Sequence, residues 1–287
     1  MNISVVITTC NRPAFLIEAL NGISTQTLKP KEVIIINDCS DISYAPVLDA
    51  IEKVNARHII LEKRSGANRA RNIGIQESSG EVIAFLDDDD IWLPNYLSEI
   101  SSQYRDGADA VVTGFRQLGN ESVVVVNQDS DVTKSSLLRG NAYCGMSGFS
   151  CKKKIIEDLL FDEQLPNGQD WDMFVRLLLG NYNFKNISKG LFLYRFQNAD
   201  GIGAKLRTLK PEDIVHRLAS ANKHREFLGN YWYKKRVCDQ ILFSLKHKKN
   251  RLSWIVLAVR LTGFKVTASV FFNIVKRKVL NKPMSSN

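Results

Sequence analysis

Four carboxylates in a row, Asp87, Asp88, Asp89 and Asp90, are the side chains in this sequence whose type and spacing most invite chemistry. They follow Val82, Ile83, Ala84, Phe85 and Leu86, an apolar run with the length of a buried strand. Trp92 and Pro94 come next, where a helix start is expected. Adjacent anions repel one another, so such a cluster at the end of a buried strand is costly unless positive charge sits among them. In open α/β sheets ligands bind outside the carboxyl ends of the strands. A hard divalent cation with oxygen ligands, bridging to substrate phosphates, would supply the missing charge. Taken alone, the run fits a solvated acidic turn equally well. A second acidic position, Asp170, opens a stretch of helical periodicity with Phe174, Leu177 and Leu178 on its apolar face. By itself it reads as a helix cap, worth about 1 kcal/mol.

The elements that would position these groups follow from periodicity. Residues 3–8 form a β-branched run ending in Thr8, Thr9, Cys10, Asn11, Arg12 and Pro13, with Asn11 expected to cap the first helix and Pro13 in its first turn. Phe15, Leu16, Ala19, Leu20 and Ile23 then recur at helical spacing. A second buried strand, residues 32–36, ends in Asn37 and Asp38, and a helical pattern (Val47, Leu48, Ile51, Val54) leads to a strand at 58–61. A glycine-bearing loop at Gly66 opens a helix carrying Arg69, Arg71 and Asn72, which precedes the strand at 82–86. Strands alternating with helices predict an α/β fold with a mainly parallel central sheet flanked by helices. The strand-end rule then brings Thr8, Asp38 and residues 87–90 to one crevice. Neither GxGxxG nor GxxxxGK[ST] occurs, so any nucleotide is held in another way. Beyond a helix at 96–104, strands are expected at 109–114 and 122–126, whereas 141–150 reads as a loop lining a site.

The chain has 287 residues, 44% of them hydrophobic and 24% charged, the composition of an ordinary globular protein. Five scattered cysteines, without metal-finger spacing, read as free thiols in a reducing compartment. The first residues lack a basic n-region, so no secretory leader is expected. Charge is uneven. Residues 1–204 carry 20 Lys and Arg against 26 Asp and Glu, while 205–287 carry 19 against 4. This predicts a catalytic body over 1–204 and a basic helical C-terminal extension over 205–287, which suits a polyanion or a membrane surface.

Five segments together resemble inverting family-2 glycosyltransferases of the glycosyltransferase-A type fold: SVVITTCNRP at 4–13, EVIIINDCSD at 32–41, GANRARNIGI at 66–75, EVIAFLDDDDIWLP at 81–94 and FDEQLPNGQDWDMFVRL at 161–177. The resemblance implies transfer of a sugar from a nucleoside-diphosphate sugar to a hydroxyl of a glycan or lipid-linked acceptor, in surface-polysaccharide or lipopolysaccharide synthesis. It places Thr8, Asn11 and Asp38 at the donor's base and ribose, with Asp38 favouring uracil or thymine, and Arg71 where the donor pocket is completed. It makes Asp89 the ligand of Mg²⁺ or Mn²⁺, sets Asp87 nearer the ribose with Asp88 assisting, and makes Asp170 the general base. Three departures stand out. Asn37 occupies a position usually Asp, Gln169 one usually Glu, and Gln197 one that often carries His. Arg195 offers either a phosphate-binding fork or a surface ion pair.

Within the extension, two apolar stretches, 252–259 and 266–275, are each short of the roughly 20 residues that span a bilayer. Bearing Trp and Phe among Lys and Arg, they suit the membrane interface, or else pack on the body. The expected location is therefore cytoplasmic and peripheral on the inner face of the membrane. A nucleic-acid partner is not expected, because the basic residues alternate with aliphatic stretches and leave the carboxylates without a task. An inactive sugar-nucleotide-binding scaffold is the further alternative, kept open by Asn37 and Gln169.

Overall fold

Strands at 3–9, 32–37 and 82–87 are apolar on both faces, which a sheet tolerates only when helices cover it on both sides. In the computed structural model, which describes residues 1–196, 210–243, 245 and 248–279, β1 (Ile3–Thr9), α1 (Pro13–Ser24), β2 (Glu32–Asn37), α2 (Leu48–Lys53), β3 (Ala56–Ile60), α3 (Ala67–Glu77) and β4 (Val82–Asp87) alternate as the periodicity predicts. These strands lie in the order β3-β2-β1-β4, all parallel. Helix α3 approaches β1 closely. A Cβ on Gly74 would stand 2.3 Å from a methyl of Val6, so only glycine lets the helix lie there.

The rest of the sheet is mixed. It is built from β5 (Ile91–Trp92), β6 (Ala110–Gln117), β7 (Asn120–Val125), β8 (Phe149–Lys152) and β9 (Phe184–Tyr194), with α4 (Tyr96–Arg105), α5 (Lys134–Leu138), α6 (Lys153–Leu159) and α7 (Gln169–Leu179) between them. Strand β8 runs antiparallel to both β4 and β6, β9 is parallel to β6, and β5 and β7 pair antiparallel with β9 and β6. The stretch expected to be a loop at 141–150 thus ends in a central strand. Four residues, FSCK, are too short to announce it by alternation. Trp92 likewise belongs to β5 rather than to a helix start, stacking on Tyr96 at 4.1 Å and donating its indole N–H to the carbonyl of Ser147 at 2.7 Å.

The residues group into two compact units. The first comprises Met1–Thr133, Tyr143–Glu163 and Arg176–Phe196 and contains the whole sheet; the second comprises Lys134–Ala142, Gln164–Val175 and the described residues beyond 209. Charge alone divides the chain at 204 and 205, but packing divides it differently. Trp171 meets His224 and Phe227 edge-on, at 5.3 and 6.3 Å, and so draws its own segment into the helical unit. That unit continues through α8 (Ile214–Arg217), α9 (Ala219–Lys223), α10 (Arg225–Leu242), α11 (Arg251–Thr262) and α12 (Phe264–Val279). Gly229, at φ 64°, breaks the helical geometry inside α10. No helix among the described residues is long and apolar enough to cross a membrane.

The α3–β1 contact yields a stability expectation. Gly74→Ala should lower unfolding free energy by about 1–3 kcal/mol through overpacking against Val6. Urea unfolding would read it, and an unchanged midpoint would mean that the helix shifts freely on the sheet.

Candidate active site

Register fixes the floor of the site in the first unit. Thr8 pairs with Asp87 and Thr9 with Asn37, so the exits of β1, β2 and β4 are level. Asn11 does not cap α1: Arg12 holds that position, and no side chain caps the helix. Asn11 instead adopts φ 58° and exchanges hydrogen bonds with the loop after β2. Its Nδ2 donates to Asp41 Oδ2 at 3.1 Å, and its Oδ1 accepts the Asp41 amide at 2.7 Å. The Tyr44 hydroxyl lies 2.7 Å from Thr9 Oγ1 and accepts from Ser40 Oγ at 3.2 Å and the Arg12 amide at 3.3 Å. Asp38 accepts the amides of Ser65 and Gly66, one on each carboxylate oxygen, at 2.6 and 2.8 Å. Its first structural task is therefore to hold the loop that opens α3. Asn37 caps the same turn, its Oδ1 accepting the Ser40 amide at 3.0 Å, and lies 3.5 Å from His58 Nε2. Burial lowers the pKa of His58.

The carboxylate run divides by partner. Arg71, itself buried, donates to Asp87 at 2.6 Å. Arg12 bridges Asp88 at 2.8 Å and Asp89 at 3.0 Å. Burial opposes the charge on Arg12, but Asp88, Asp89 and Asp87 outweigh it and raise its pKa. Asp88, assigned to the donor side by the resemblance, has a side chain that is 0% exposed and faces Arg12 and Thr9. Burial pushes its pKa up to about 7 against the pull of Arg12. Asp90, to which sequence gave no role, is buried and accepts from Ser147 Oγ at 2.6 Å and the Arg195 amide at 3.1 Å. Burial, with Asp89 and Asp87 adding, raises its pKa well above the ordinary value. Arg195 takes the ion-pair option, donating to Glu18 at 2.7 Å and to the Asp89 carbonyl at 3.1 Å. Gln197 lies outside the described residues.

Helix α3 also anchors the segment after α6. Asn72 donates to the carbonyl of Phe161 at 2.9 Å and to Glu163 at 3.0 Å, and accepts the Phe161 amide at 2.7 Å. Arg71 in turn sits over the Phe161 ring. Two motifs far apart in sequence are thereby one construction.

Asp170 belongs to the second unit, in the first turn of α7. Asn141 donates to its Oδ2 at 2.6 Å. The neighbouring Trp171 is buried and fixed by an indole bond to the carbonyl of Leu137 at 2.8 Å. Buried Asp172 lies 2.7 Å from His224 Nε2 and 2.9 Å from Lys223 Nζ. Sequence reasoning gave none of these partners a role. Only the alternation of acidic and apolar residues in QDWDMF marked the turn as unusual.

The Glycosyl transferase family 2 profile matches residues 4–158, more than half of the chain. The chain belongs to that family. A relative in Bacillus subtilis (strain 168), the glycosyltransferase YwdF, is 30% identical over 214 residues, covering 69% of this chain and 76% of its own length. The chain is also similar to GalNAc(5)-diNAcBac-PP-undecaprenol beta-1,3-glucosyltransferase of Campylobacter jejuni, 27% identical over 238 residues, with 79% of this chain and 71% of the relative covered. Among solved structures, mannosyltransferase PcManGT from Pyrobaculum calidifontis, in complex with GDP-Man and Mn²⁺, superposes with a TM-score of 0.63 at 15% identity, covering 96% of this chain and 80% of that one. The last comparison shows the fold, the glycosyltransferase-A type.

In this glycosyltransferase, Asp87, Asp89 and Asp90 each offer a carboxylate oxygen, all within 4.8 Å of one another. Hard oxygen donors of that number suit Mg²⁺ or Mn²⁺. Among the described residues the side-chain cations on the run are Arg12, at Asp88 and Asp89, and Arg71, at Asp87.

Removing Arg12 strips Asp88 of its buried counter-charge. Arg12→Ala should cost about 2–3 kcal/mol of stability, less than for a fully buried pair because Arg12 is partly exposed. Adding Asp88→Asn should restore most of it, as a double-mutant cycle in urea would reveal. Simple additivity would show that Arg12 does not hold Asp88.

Proposed function

We propose that this family-2 enzyme transfers a sugar from a nucleoside-diphosphate sugar, UDP-linked by preference, to a hydroxyl of a glycan or lipid-linked acceptor, with inversion at the anomeric carbon. The observation that carries this reading is the level meeting of three strand exits at a cluster of three carboxylate oxygens within 4.8 Å. Thr8, Asn11 and Asp38 border the base and ribose. Asp38 retains lone pairs beyond the two occupied by Ser65 and Gly66, so it can still accept a ring N–H. Arg71 completes the donor pocket and keeps Asp87 oriented. Asp87, Asp89 and Asp90 would hold Mg²⁺ or Mn²⁺, which when bound neutralises the charge developing on the departing diphosphate. Asp170, held by Asn141, takes the proton of the attacking hydroxyl. The lipid-diphosphate acceptor named for the Campylobacter relative supports an acceptor of that kind and a place in surface-glycan assembly.

Calorimetry with a panel of nucleoside diphosphates, with Mn²⁺ and with chelator, tests the donor half. UDP should bind in a metal-dependent way, and Asp89→Ala should weaken it by about tenfold or more. No nucleotide binding in either condition would remove the proposal. For the acceptor half, Asp170→Asn should keep UDP binding and lose about 10²-fold or more of turnover. Undiminished turnover would move the base elsewhere.

The C-terminal helices support a peripheral station on an anionic leaflet. Trp254 faces inward, beneath the Lys248 ammonium at 3.6 Å, so it is not the interfacial aromatic that composition suggests. Leu252, Phe264 and Phe272 face outward, at 73%, 74% and 66% exposure, among Arg251, Arg260 and Lys265. Apolar side chains flanked by cations are what an interfacial segment presents. Vesicles containing phosphatidylglycerol should sediment the protein at low salt, and Phe264→Ser with Phe272→Ser should abolish this. Equal recovery with neutral vesicles, or with the double variant, would remove the membrane assignment.

A further inference from the structure

Among the described residues, a cation of the second unit stacks on an aromatic ring without pairing with a carboxylate. Arg236, on α10, places its guanidinium over the face of Trp171, with Cζ 3.7 Å from the ring centroid. Its Nε is buried and has no hydrogen-bond partner among the described residues. Asp170 and Asp239 both attract it, yet among the described residues it forms no ion pair with either. The carboxylates around it are already engaged. Asn141 bonds to Asp170, Lys223 and His224 face Asp172, and Lys235 bonds to Asp239 at 2.9 Å. Burial lowers its pKa only to about 10, so the side chain is a cation at neutral pH. Desolvating a guanidinium and leaving a donor orphaned is costly unless something anionic completes it.

The surroundings are built to hold that group still. Trp171 is pinned by its bond to Leu137, and its edge meets Phe227, over whose ring a second cation, Lys134, sits at 5.4 Å. A guanidinium stacked on a fixed aromatic ring keeps its fork of N–H donors in one plane, the arrangement that matches two oxygens of a phosphate or carboxylate. A purely structural cation–π contact would need neither the fork nor a buried, unmatched Nε.

We propose that Arg236, seated on Trp171, binds an oxyanion carried by the acceptor close to the hydroxyl that Asp170 deprotonates. The acceptor is thus an anionic glycan or glycolipid whose phosphate or carboxylate lies beside the attacking hydroxyl. This rests on reading Asp170 as the base. It defines a specificity determinant on the acceptor side, separate from the donor's carboxylate cluster.

The test uses two probes, glycerol 3-phosphate and methyl glucuronide, titrated calorimetrically into the full chain with chelator present. One probe should saturate the wild-type protein, and which one does so separates a phosphate source from a carboxylate source. Arg236→Gln should weaken that probe by about tenfold or more, while Arg236→Lys, which keeps the charge but loses the fork, should fall between. Metal-dependent UDP binding, unchanged in both variants, shows that they are folded. If Arg236→Gln loses UDP binding as well, Arg236→Lys carries the comparison. Failure of both probes to saturate the wild type, or wild-type affinity in the folded variants, overturns the proposal. Asp170→Asn separates the two readings. Probe binding retained with turnover lost supports both, whereas undiminished turnover with probe binding intact refutes the base and detaches the anion site from the acceptor.

Discussion

Charge compensation at the end of β4 is the constraint on which the first unit depends. Four consecutive carboxylates cannot be gathered at a buried strand end without cations, and the chain supplies them from two other elements: Arg12 where α1 begins and Arg71 within α3. Each arginine is in turn held by its own element. Pro13 starts α1 directly after Arg12, and Gly74 lets α3 lie close enough to β1 for Arg71 to arrive buried at Asp87. The acidic run is therefore not a surface feature added to a finished sheet. It requires β1, β4, α1 and α3 to be in register at once, which explains why loop, strand and helix residues here are bonded so densely to one another.

Such compensation leaves the four positions unlike one another, although their side chains are chemically identical. Asp88 and Asp90 face inward, and burial pushes the pKa of both upward. Asp87 and Asp89 stay partly exposed, each paired with an arginine. Only Asp87 belongs to β4; Asp88 and Asp89 lie in the turn that follows, closed by the Asp90 amide donating to the Asp87 carbonyl at 3.2 Å. Asp90 joins the oxygen cluster because the turn after β4 brings it round, a placement that period-two reasoning does not reach.

What the sequence made legible was whatever depends on local pattern. The parallel half of the sheet could be read because β1, β2 and β4 are long apolar runs joined by short helical segments, and the strand-end rule then named Thr8, Asp38 and Asp87 without further help. Strands β5 and β8 escaped because two and four residues carry no period, and their pairing is set by partners far away in the chain. Asn11 misled for a related reason. Its type fits both a helix cap and a left-handed turn, and only the loop after β2, with Asp41 to bond, decides between them. Net charge likewise says nothing of packing, and Trp171 packs on His224 and Phe227.

The second unit partners its acids differently. In the first unit Asp87, Asp88 and Asp89 pair with arginine side chains, while Asp90 accepts from Ser147 and a backbone amide. Around α7 the carboxylates of Asp170, Asp172 and Asp239 take Asn141, Lys223, His224 and Lys235 as partners, and Arg236 stacks on Trp171. A transfer reaction has reason to keep the two arrangements apart. On the proposed reading, the donor's diphosphate needs a cation between it and the carboxylates, whereas a hydroxyl becoming an alkoxide gains from a nearby positive charge. Asn141, a neutral amide, orients Asp170 without adding a charge beside it.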